Sequence, residues 1–407
     1  MKKKTVKQSR LAYAFFKLLA NTVARFVFKR KFLRNELKGK KGPLVVISNH
    51  AAALDFVNLI GATRRPMRFV ISSSFYRTLP FKGIVKRLGL IPKQQFQTTL
   101  GDMRAIKTVI EEGDILVIYP MGLMSDDGAA QPMPEATYQF LKWMKADVYV
   151  AKNIGTYFSM PKWRCGGMRR GRTLIDIYKL FDAAELHTAS LDTVRKKTDE
   201  ALSFDAYEEQ EKYLFKYKNC HNIKGLENIL YQCPHCGKEF SVHTKGEDTL
   251  FCESCGFTEK ADAYGFLHNV GNLGEEIRHP SKWSAWIRER IKAEINEGHL
   301  TSLTTPVKIQ MVPIGKKSFV DMGAGTLTLS REHFILSGHI GEDTATVTIP
   351  IVQFVSLPYK PGCYIELQHG AEIYRCLPEN GKLTTKMIHM IEIFYEQQTV
   401  ASKSAAH

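Results

Sequence analysis

Apolar and polar residues follow one another along the first half of the chain with the pattern of alternating strands and helices. Four short runs rich in β-branched residues, bounded by turn-forming residues, predict strands: PLVVIS, MRFVIS, ILVIYP and DVYVAKN, all between residues 43 and 153. Before the third run, TTLGDMRAIKTVIEEGD has an apolar stripe at helical spacing, a capping pair in Thr99 and Asp102, and Gly113 for the C-terminal turn. This alternation predicts an α/β domain with helices packed on a central sheet.

The second half of the chain shows other periods. SKWSAWIRERIKAEINEG, within residues 266–302, predicts a connecting helix that carries its large apolar residues on one side: Trp283, Trp286, Ile287, Ile291 and Ile295. Beyond it, short alternating runs such as GTLTLS, HFILSG and TATVTIP recur, and TTKMIHMIEIFYEQQ predicts a last helix. A series of strands ended by one helix predicts a small β-rich domain over residues 303–398, of pleckstrin-homology-like or related type.

The N-terminal segment, residues 1–41, combines an apolar run with most of the charge. It contains fourteen Lys or Arg and one acidic residue, Glu36, so it carries +13 of the net charge of +16. In a helix over LAYAFFKLLANTVARFVFKRKF the polar groups would form one narrow stripe, Lys17, Asn21, Arg25 and Lys29. The remaining residues would form a broad apolar face: Phe15, Leu18, Leu19, Val23, Phe26 and Val27.

This segment predicts an arm that binds an anionic membrane surface. Charges interrupt the apolar run, which argues against a spanning helix of about 20 apolar residues. The absence of a small-residue cleavage site argues against a secretory signal. A helix in the membrane interface, flanked by Lys2–Lys4 and Lys29–Lys31, agrees with both observations. We therefore expect a peripheral protein on the cytoplasmic face of the cell membrane; a core-packing helix with a solvated basic tail is the alternative.

Four of the eight cysteines form two CxxC pairs separated by fifteen residues: Cys233, Cys236, Cys252 and Cys255. This spacing predicts a four-thiolate zinc ribbon in a reducing compartment, over residues 217–265. Gly237 and Gly256 follow the second cysteine of each pair, where a turn around a metal requires positive φ. Four thiolates fill the coordination shell, so we expect structural Zn²⁺. Iron in the same site and a redox pair are the alternatives.

The basic N-terminal segment and the predicted ribbon together raise nucleic acid as a possible partner. The ribbon from Cys233 to Cys255 is close to neutral, however, and lacks the clustered arginines and aromatics of a phosphate-backbone surface. The sequence therefore argues against nucleic acid.

The stretch VVISNHAAALDFVNL places His50 directly after a predicted strand and Asp55 five positions later. An aspartate on the first turn of the next helix can bind the imidazole Nδ1, fix its tautomer and leave Nε2 free as a general base. This spacing alone is weak evidence, because the chain has thirteen histidines.

Four segments together resemble the motifs of the glycerolipid acyltransferases, which include the 1-acylglycerol-3-phosphate acyltransferases. SNHAAALDF resembles the Asn-His-x4-Asp motif, and RLGLIPKQQ is similar to a Gly-x-Ile-Pro-x-Asp-Arg-like segment. ILVIYPMGLMS resembles Phe-Pro-Glu-Gly-Thr-x-Ser, and VYVAKNIGTYFSMPKW resembles the last motif, a strand followed by a loop with Pro161. The order and rough spacing of all four match over about residues 40–175.

The resemblance implies an acyltransferase domain over residues 42–216, with His50 and Asp55 catalytic. It also implies transfer of a fatty acyl group from an acyl-CoA or acyl-carrier-protein thioester to a lipid hydroxyl in phospholipid biosynthesis. The implied acceptor is 1-acylglycerol-3-phosphate or a related lysolipid. The remaining positions that carry over or lie near the substrate are Asn49, Lys93, Pro120, Gly122 and Ser125.

Several motif positions differ from the family. Met121 stands where the family has Glu, and Leu123 and Met124 stand where it has Thr and Arg. Gln95 replaces the Arg that binds the acceptor phosphate. These differences leave the acceptor open, and a non-enzymatic lipid-binding adaptor or a catalytically degenerate relative is the alternative to an enzyme.

Overall fold

The computed structural model describes residues 8–79, 81–95, 99–164, 166–271, 273–313, 318–341, 343–353, 355–370 and 372–404. The chain divides into two compact units. The first comprises Met1–Lys162, Gly166–Cys220 and Ala263–Gly265, and the second comprises Trp163–Cys165, His221–Asp262 and Phe266–His407. The predicted flanking lysines Lys2–Lys4 lie outside the described residues.

A seven-stranded sheet forms the centre of the first unit. Its strands are β1 (Lys31–Asn35), β2 (Leu44–Ser48), β3 (Met67–Ser72), β4 (Ile91–Lys93), β5 (Ile115–Ile118), β6 (Asp147–Ile154) and β7 (Leu174–Phe181). The order across the sheet is β1-β7-β6-β2-β5-β3-β4, and every neighbouring pair is parallel except β6 and β7. The central strand β2 is buried along its whole length, as its apolar run requires of a parallel strand covered on both faces.

Helices cover both faces of this sheet and give two apolar core layers. The helices of this unit are α1 (Arg10–Phe26), α2 (Asp55–Leu59), α3 (Ser73–Thr78), α4 (Lys82–Arg87), α5 (Leu100–Glu111), α6 (Ala136–Trp143), α7 (Thr156–Ser159), α8 (Ala183–Thr188), α9 (Leu191–Leu202) and α10 (Ala206–Tyr213), and the core layers are formed by α1, α2, α5, α6, α8 and α9. At the start of α5, Thr99 and Asp102 form the predicted capping box, and Gly113 has the left-handed φ of 73° that the C-terminal turn needs. The α/β prediction is confirmed.

Helix α1 is built into the first unit rather than lying outside it. Tyr13, Ala20 and Ala24 are buried in one core layer, and the following strand β1 pairs in parallel with β7. Two members of the predicted polar stripe also face the unit: Lys17 donates to the carbonyl oxygen of Thr63, and Asn21 accepts from Arg30 at 3.1 Å. The stripe is therefore only in part a solvent edge, because these side chains satisfy polar groups of the domain.

The opposite side of α1 exposes large apolar side chains: Leu11, Phe15, Leu18, Leu19 and Phe26. The helix thus has one face in the core and an apolar face on the surface. In the described part of the chain, no helix has both the length and the apolar character needed to cross a bilayer.

The second unit contains two antiparallel sheets. The smaller has the order β11-β10-β9-β8 and is formed by β8 (Val242–Lys245), β9 (Thr249–Cys252), β10 (Thr258–Ala261) and β11 (Leu267–Asn269). Its last strand lies beyond residue 265, where the sequence places the end of the ribbon. Gly237 and Gly256 have φ of 73° and 80°, as the two predicted turns require.

The larger sheet has the order β15-β14-β13-β12-β18-β17-β16. Its strands are β12 (Ser302–Met311), β13 (Val320–Ser330), β14 (His333–Ile340), β15 (Asp343–Pro350), β16 (Tyr359–Lys360), β17 (Tyr364–His369) and β18 (Glu372–Pro378). Helix α12 (Leu383–Ser404) follows the last strand. The predicted β-rich region and its final helix are confirmed, and the likeness to pleckstrin-homology domains remains a prediction.

In the second unit, buried side chains connect the cysteine-rich segment to the region of α11 and α12. Helix α11 (Pro280–Asn296) buries Trp283, whose indole N–H donates to the carbonyl oxygen of Gln232 at 2.8 Å. Lys382, just before α12, donates to the carbonyl oxygen of Val242 in β8 at 2.6 Å. The cysteine-rich segment is thus connected to α11 and to the residue that precedes α12.

Candidate active site

The loop after β2 carries the predicted catalytic pair. The imidazole Nδ1 of His50 lies 3.0 Å from the Oδ2 atom of Asp55, the first residue of α2. The same oxygen accepts the backbone N–H groups of Ala51 at 2.8 Å and Ala52 at 3.0 Å. The two alanines are small enough for the loop to close tightly around the carboxylate.

The environments of the two side chains differ in a way that suits proton transfer. Asp55 is fully buried and held by three donors, whereas the side chain of His50 is 19% exposed. Because Nδ1 is engaged by the carboxylate, the ring is held in one orientation and Nε2 is the nitrogen left for a substrate proton. The predicted pairing of His50 with Asp55 is therefore present as geometry.

The ring of Tyr119, just after β5, stacks on the imidazole of His50. The ring centroids are 4.3 Å apart and the planes are inclined by 27°. Burial, and then the charge of Asp55, raise the pKa of Tyr119 well above its usual value. In the described residues, neither the Tyr119 hydroxyl nor Oδ1 of Asp55 has a hydrogen-bond partner. Sequence reasoning missed this contact; its only signal is the aromatic residue that begins YPMGLMS.

The turn after Tyr119 lies against the His50 loop. Pro120 is buried, and Gly122 has a φ of 76° and donates its N–H to the Tyr119 carbonyl oxygen at 3.0 Å. Ser125 is buried and donates its backbone N–H to the carbonyl oxygen of His50 at 2.8 Å. Its hydroxyl accepts the N–H of Gly128 at 2.9 Å, so this side chain stabilises the turn.

The end of β4 approaches the same turn. Gln95 donates its side-chain amide to the carbonyl oxygen of Gly122 at 2.7 Å, and the Ser72 hydroxyl lies 3.4 Å from its Oε1 atom. Lys93 is half-buried, and its amine donates to the carbonyl oxygen of Gln94 at 3.3 Å. Desolvation lowers the pKa of Lys93, with a smaller opposing effect of Asp102.

Asn49 is turned into the sheet rather than toward the His50 ring. Its amide donates to the Asn153 carbonyl oxygen at 2.8 Å, and its Oδ1 accepts the Asn153 N–H at 2.7 Å. This reciprocal pair links the end of β2 to β6, so in this structure Asn49 positions the loop. Met121 and Leu123 are buried apolar residues at the positions where the resembled family has Glu and Thr.

Residues 28–158 match the family model described as Acyltransferase. This part of the chain is an acyltransferase domain. The crystal structure of the 1-acyl-sn-glycerophosphate (LPA) acyltransferase PlsC from Thermotoga maritima is similar, with 16% identity and a TM-score of 0.38. That similarity covers 49% of this chain and 77% of that chain. No curated protein is similar enough to the chain to match it.

The acyltransferase domain therefore contains the whole described arrangement around His50. One partly exposed imidazole is fixed by a buried carboxylate and an aromatic ring, beside a glycine turn. Such a site can take a proton from a hydroxyl group and return it to a leaving group. The sequence-based identification of the acyltransferase family is confirmed for this domain.

Outside the acyltransferase domain, the four predicted cysteines lie together. Their sulfur atoms are all within 4.8 Å of one another, and the Cys233–Cys255 and Cys236–Cys252 sulfur atoms are each 3.7 Å apart. Four sulfur ligands about 2.3 Å from a tetrahedral centre lie about 3.8 Å apart. The cluster can therefore hold one metal ion.

Proposed function

We propose that the protein is a membrane-associated acyltransferase. It moves a fatty acyl group from a thioester donor, acyl-CoA or acyl-carrier protein, to a hydroxyl of a glycerolipid-type acceptor. We take 1-acylglycerol-3-phosphate or a related lysolipid as that acceptor. The observation that carries the proposal is the imidazole of His50, with Nδ1 bound to the buried carboxylate of Asp55 and Nε2 left for substrate.

The chemistry follows from this pair. Nε2 of His50 removes the proton of the acceptor hydroxyl while that oxygen attacks the thioester carbonyl carbon. The tetrahedral intermediate collapses, the carbon–sulfur bond breaks, and the imidazolium returns its proton to the departing thiolate. The products are an ester and a free thiol. Asp55 keeps the imidazole in one tautomer and stabilises the imidazolium between the two steps.

The turn after Tyr119 is our candidate for oxyanion stabilisation. The N–H of Gly122 closes the turn by donating to Tyr119, so we assign the oxyanion to the backbone N–H groups that follow it, at Leu123 and Met124. Glycine at position 122 supports this assignment, since its left-handed φ of 76° lets the backbone approach substrate without a Cβ.

The acceptor head group would lie toward Lys93 and Gln95. Lys93 supplies a cation for a phosphate, and its lowered pKa reflects a desolvated position where a bound anion would compensate the burial. Gln95 and Met121 are neutral where the resembled family has charged residues. A lysolipid with a phosphodiester or uncharged head group therefore belongs in the same test as 1-acylglycerol-3-phosphate.

Membrane association is the second part of the proposal. The exposed apolar face of α1 and the basic N-terminal segment would hold the domain on an anionic surface. We assign the protein to the cytoplasmic face of the cell membrane, where thioester donors are available. Cys233, Cys236, Cys252 and Cys255 would bind one structural Zn²⁺ and contribute no catalytic step, since four thiolates leave no open coordination position.

Purified protein supplied with an acyl thioester and a panel of lysolipids should form a new ester, detected by mass spectrometry. His50→Ala should remove this activity by a factor of about 10²–10⁴ without loss of fold, because it removes the general base. An adaptor would instead bind lipid without turnover, and equal rates for the wild type and the His50→Ala protein would reject the mechanism.

A further inference from the structure

A surface segment of the acyltransferase domain, residues 73–87, exposes apolar side chains that the site does not use. This α3–α4 segment connects the neighbouring parallel strands β3 and β4. Phe81 is 77% exposed and Ile84 is 44% exposed, and Phe75 is also exposed. Exposed large apolar residues that occur together on one surface usually mark a binding surface.

The backbone holds Phe81 in an uncommon conformation. Its φ of 53° and ψ of 51° are left-handed, which costs a residue with a Cβ about 1–2 kcal/mol. Phe81 is the residue before the first residue of α4, so this conformation sets how the aromatic ring leaves the surface. Because the Phe81 ring is exposed to water, its packing within the domain does not offset the free-energy cost of the left-handed backbone.

The charge of the surrounding sequence indicates what kind of partner could cover this segment. Residues 56–101 contain eight Lys or Arg and no acidic residue, and one of the eight, Arg68, is buried and paired with Glu112 and Asp114. The first 101 residues contain twenty-two Lys or Arg against two acidic residues, whereas the remaining 306 contain thirty-five against thirty-nine. The positive charge therefore extends well beyond residue 41. On the segment itself, Lys86 and Arg87 are exposed. Apolar side chains among cations fit an anionic bilayer.

The segment is attached to the start of α1. The backbone N–H of Ser9 donates to the carbonyl oxygen of Arg87 at 2.8 Å, and the side-chain amide of Gln8 donates to the carbonyl oxygen of Leu88 at 2.8 Å. The apolar face of α1 and the α3–α4 segment thus belong to neighbouring elements of one folded unit.

The start of the segment lies close to the candidate active site. Ser72, the residue before α3, lies beside Gln95 across the β3–β4 pair, and Gln95 binds the carbonyl oxygen of Gly122. A surface that contacts the α3–α4 segment is therefore linked to the turn beside His50 through Ser72 and Gln95.

We infer that the α3–α4 segment is a second membrane-contacting element, which inserts Phe81 and Ile84 into an anionic bilayer. This inference rests on the proposed function and extends it: the segment presents the site to an acceptor that stays in the bilayer. An acyl carrier protein is the other acidic partner in reach, and a comparison of acyl donors separates it from a bilayer.

The test compares Phe81→Ser/Ile84→Ser with Leu214→Ser in the full-length protein. Leu214 is a matched control because it is 50% exposed, has a left-handed φ of 46° and follows the acidic helix α10. Co-sedimentation with vesicles of phosphatidylcholine and phosphatidylglycerol should show at least about tenfold weaker binding of the double variant and unchanged binding of the control. Circular dichroism checks the fold of each.

Phe81→Trp gives a second readout that keeps the surface apolar. The chain has four tryptophans, so the emission of the wild type is subtracted. The additional emission of Phe81→Trp should shift to the blue on adding anionic vesicles and should be quenched by brominated lipid, whereas that of Leu214→Trp should show neither effect. Unchanged vesicle binding by a folded Phe81→Ser/Ile84→Ser protein would overturn the inference. So would a Phe81→Trp emission that remains typical of an indole in water after vesicles are added.

Activity separates this inference from the proposed function. The double variant should acylate a bilayer-embedded acceptor at least about tenfold more slowly and a soluble short-chain acceptor at the wild-type rate. Equal losses on both acceptors would assign the segment to the site itself and overturn the inference. A loss only with a carrier-protein thioester, with vesicle binding intact, would assign it to the donor and also overturn it. Wild-type vesicle binding through the segment without any acyl transfer would support the contact and reject the proposed function.

Discussion

The ring of Tyr119 lies on the imidazole of His50, with 4.3 Å between the ring centroids and 27° between the planes. The proposed base is therefore held along two directions. Asp55 fixes the Nδ1 edge of the ring, and Tyr119 covers one of its faces. Together they restrict the imidazole to the orientation in which Nε2 can meet a hydroxyl.

This contact predicts different effects for two substitutions of Tyr119. Tyr119→Phe keeps the stacked ring and removes a buried hydroxyl that has no partner among the described residues, so kcat should stay within about threefold. Tyr119→Ala removes the ring, and kcat should fall at least about tenfold with KM little changed, since an imidazole displaced by about 1 Å is a poor base. Steady-state kinetics and the pH profile of kcat test this; wild-type kcat in Tyr119→Ala would show that the stack does not position His50.

Asp55→Asn should lower kcat by a factor of about 10²–10⁴ while the protein remains folded. The amide cannot stabilise the imidazolium, and its N–H₂ group favours the tautomer with the proton on Nε2. Asp176→Asn is the control, because that carboxylate forms a surface pair with Arg34. If both variants kept full activity, the buried carboxylate would have only a structural role.

The strands, the capping box at Thr99 and the His50–Asp55 pair were accessible from sequence because each depends on residues close together in the chain. The contacts of Gln95 with Gly122 and of Asn49 with Asn153 were not, since they join segments 27 and 104 residues apart. No local pattern shows which residues meet at the carboxyl ends of parallel strands.

Helix α1 shows a different limit of sequence patterns. Its apolar residues occupy two sides of the helix. Ala20 and Ala24 are buried in the core on one side, and Leu18 and Leu19 are exposed on the other. Periodicity gives the apolar and polar sides of a helix but does not say that Lys17 turns toward a backbone carbonyl group of its own domain.

The cysteine cluster predicts about one zinc ion per chain by elemental analysis. Cys252→Ser should lose the metal and destabilise the second unit by several kcal/mol, because metal binding and folding are coupled in such sites. Cys363→Ser, outside the cluster, should keep the metal and the stability. A well-folded, chelator-insensitive protein without stoichiometric metal would contradict the zinc assignment.

His389 predicts a loss of stability in mild acid. Burial, with a smaller contribution from Arg288, lowers the pKa of His389 to about 3. The unfolded chain therefore binds a proton below about pH 6.5 that the native state does not, so the free energy of unfolding falls by up to about 1.4 kcal/mol per pH unit from pH 6.5 toward 3. Urea unfolding at pH 6.5 and pH 5 measures the difference in the free energy of unfolding, which His389→Leu should reduce by about 1.7 kcal/mol. The exposed His299→Leu should leave the difference unchanged, and an identical loss in both variants would show that other groups cause it.

The apolar face of α1 predicts that surface substitutions weaken membrane binding without unfolding the domain. Removing residues 1–30 would also remove Tyr13, Ala24 and Phe28 from the core, so a deletion would confuse anchoring with folding. Phe15→Ser/Leu18→Ser alters only exposed side chains and should reduce binding to anionic vesicles at least about tenfold.

Arg10→Gln/Arg25→Gln should also weaken binding to anionic vesicles. The binding free energy should fall by about 1 kcal/mol per removed charge at low salt and by less at high salt. Co-sedimentation at two salt concentrations, with circular dichroism on each variant, separates the apolar from the electrostatic contribution. If the folded Phe15→Ser/Leu18→Ser protein bound vesicles as the wild type does, α1 would have no anchoring role and its exposed face would need another partner.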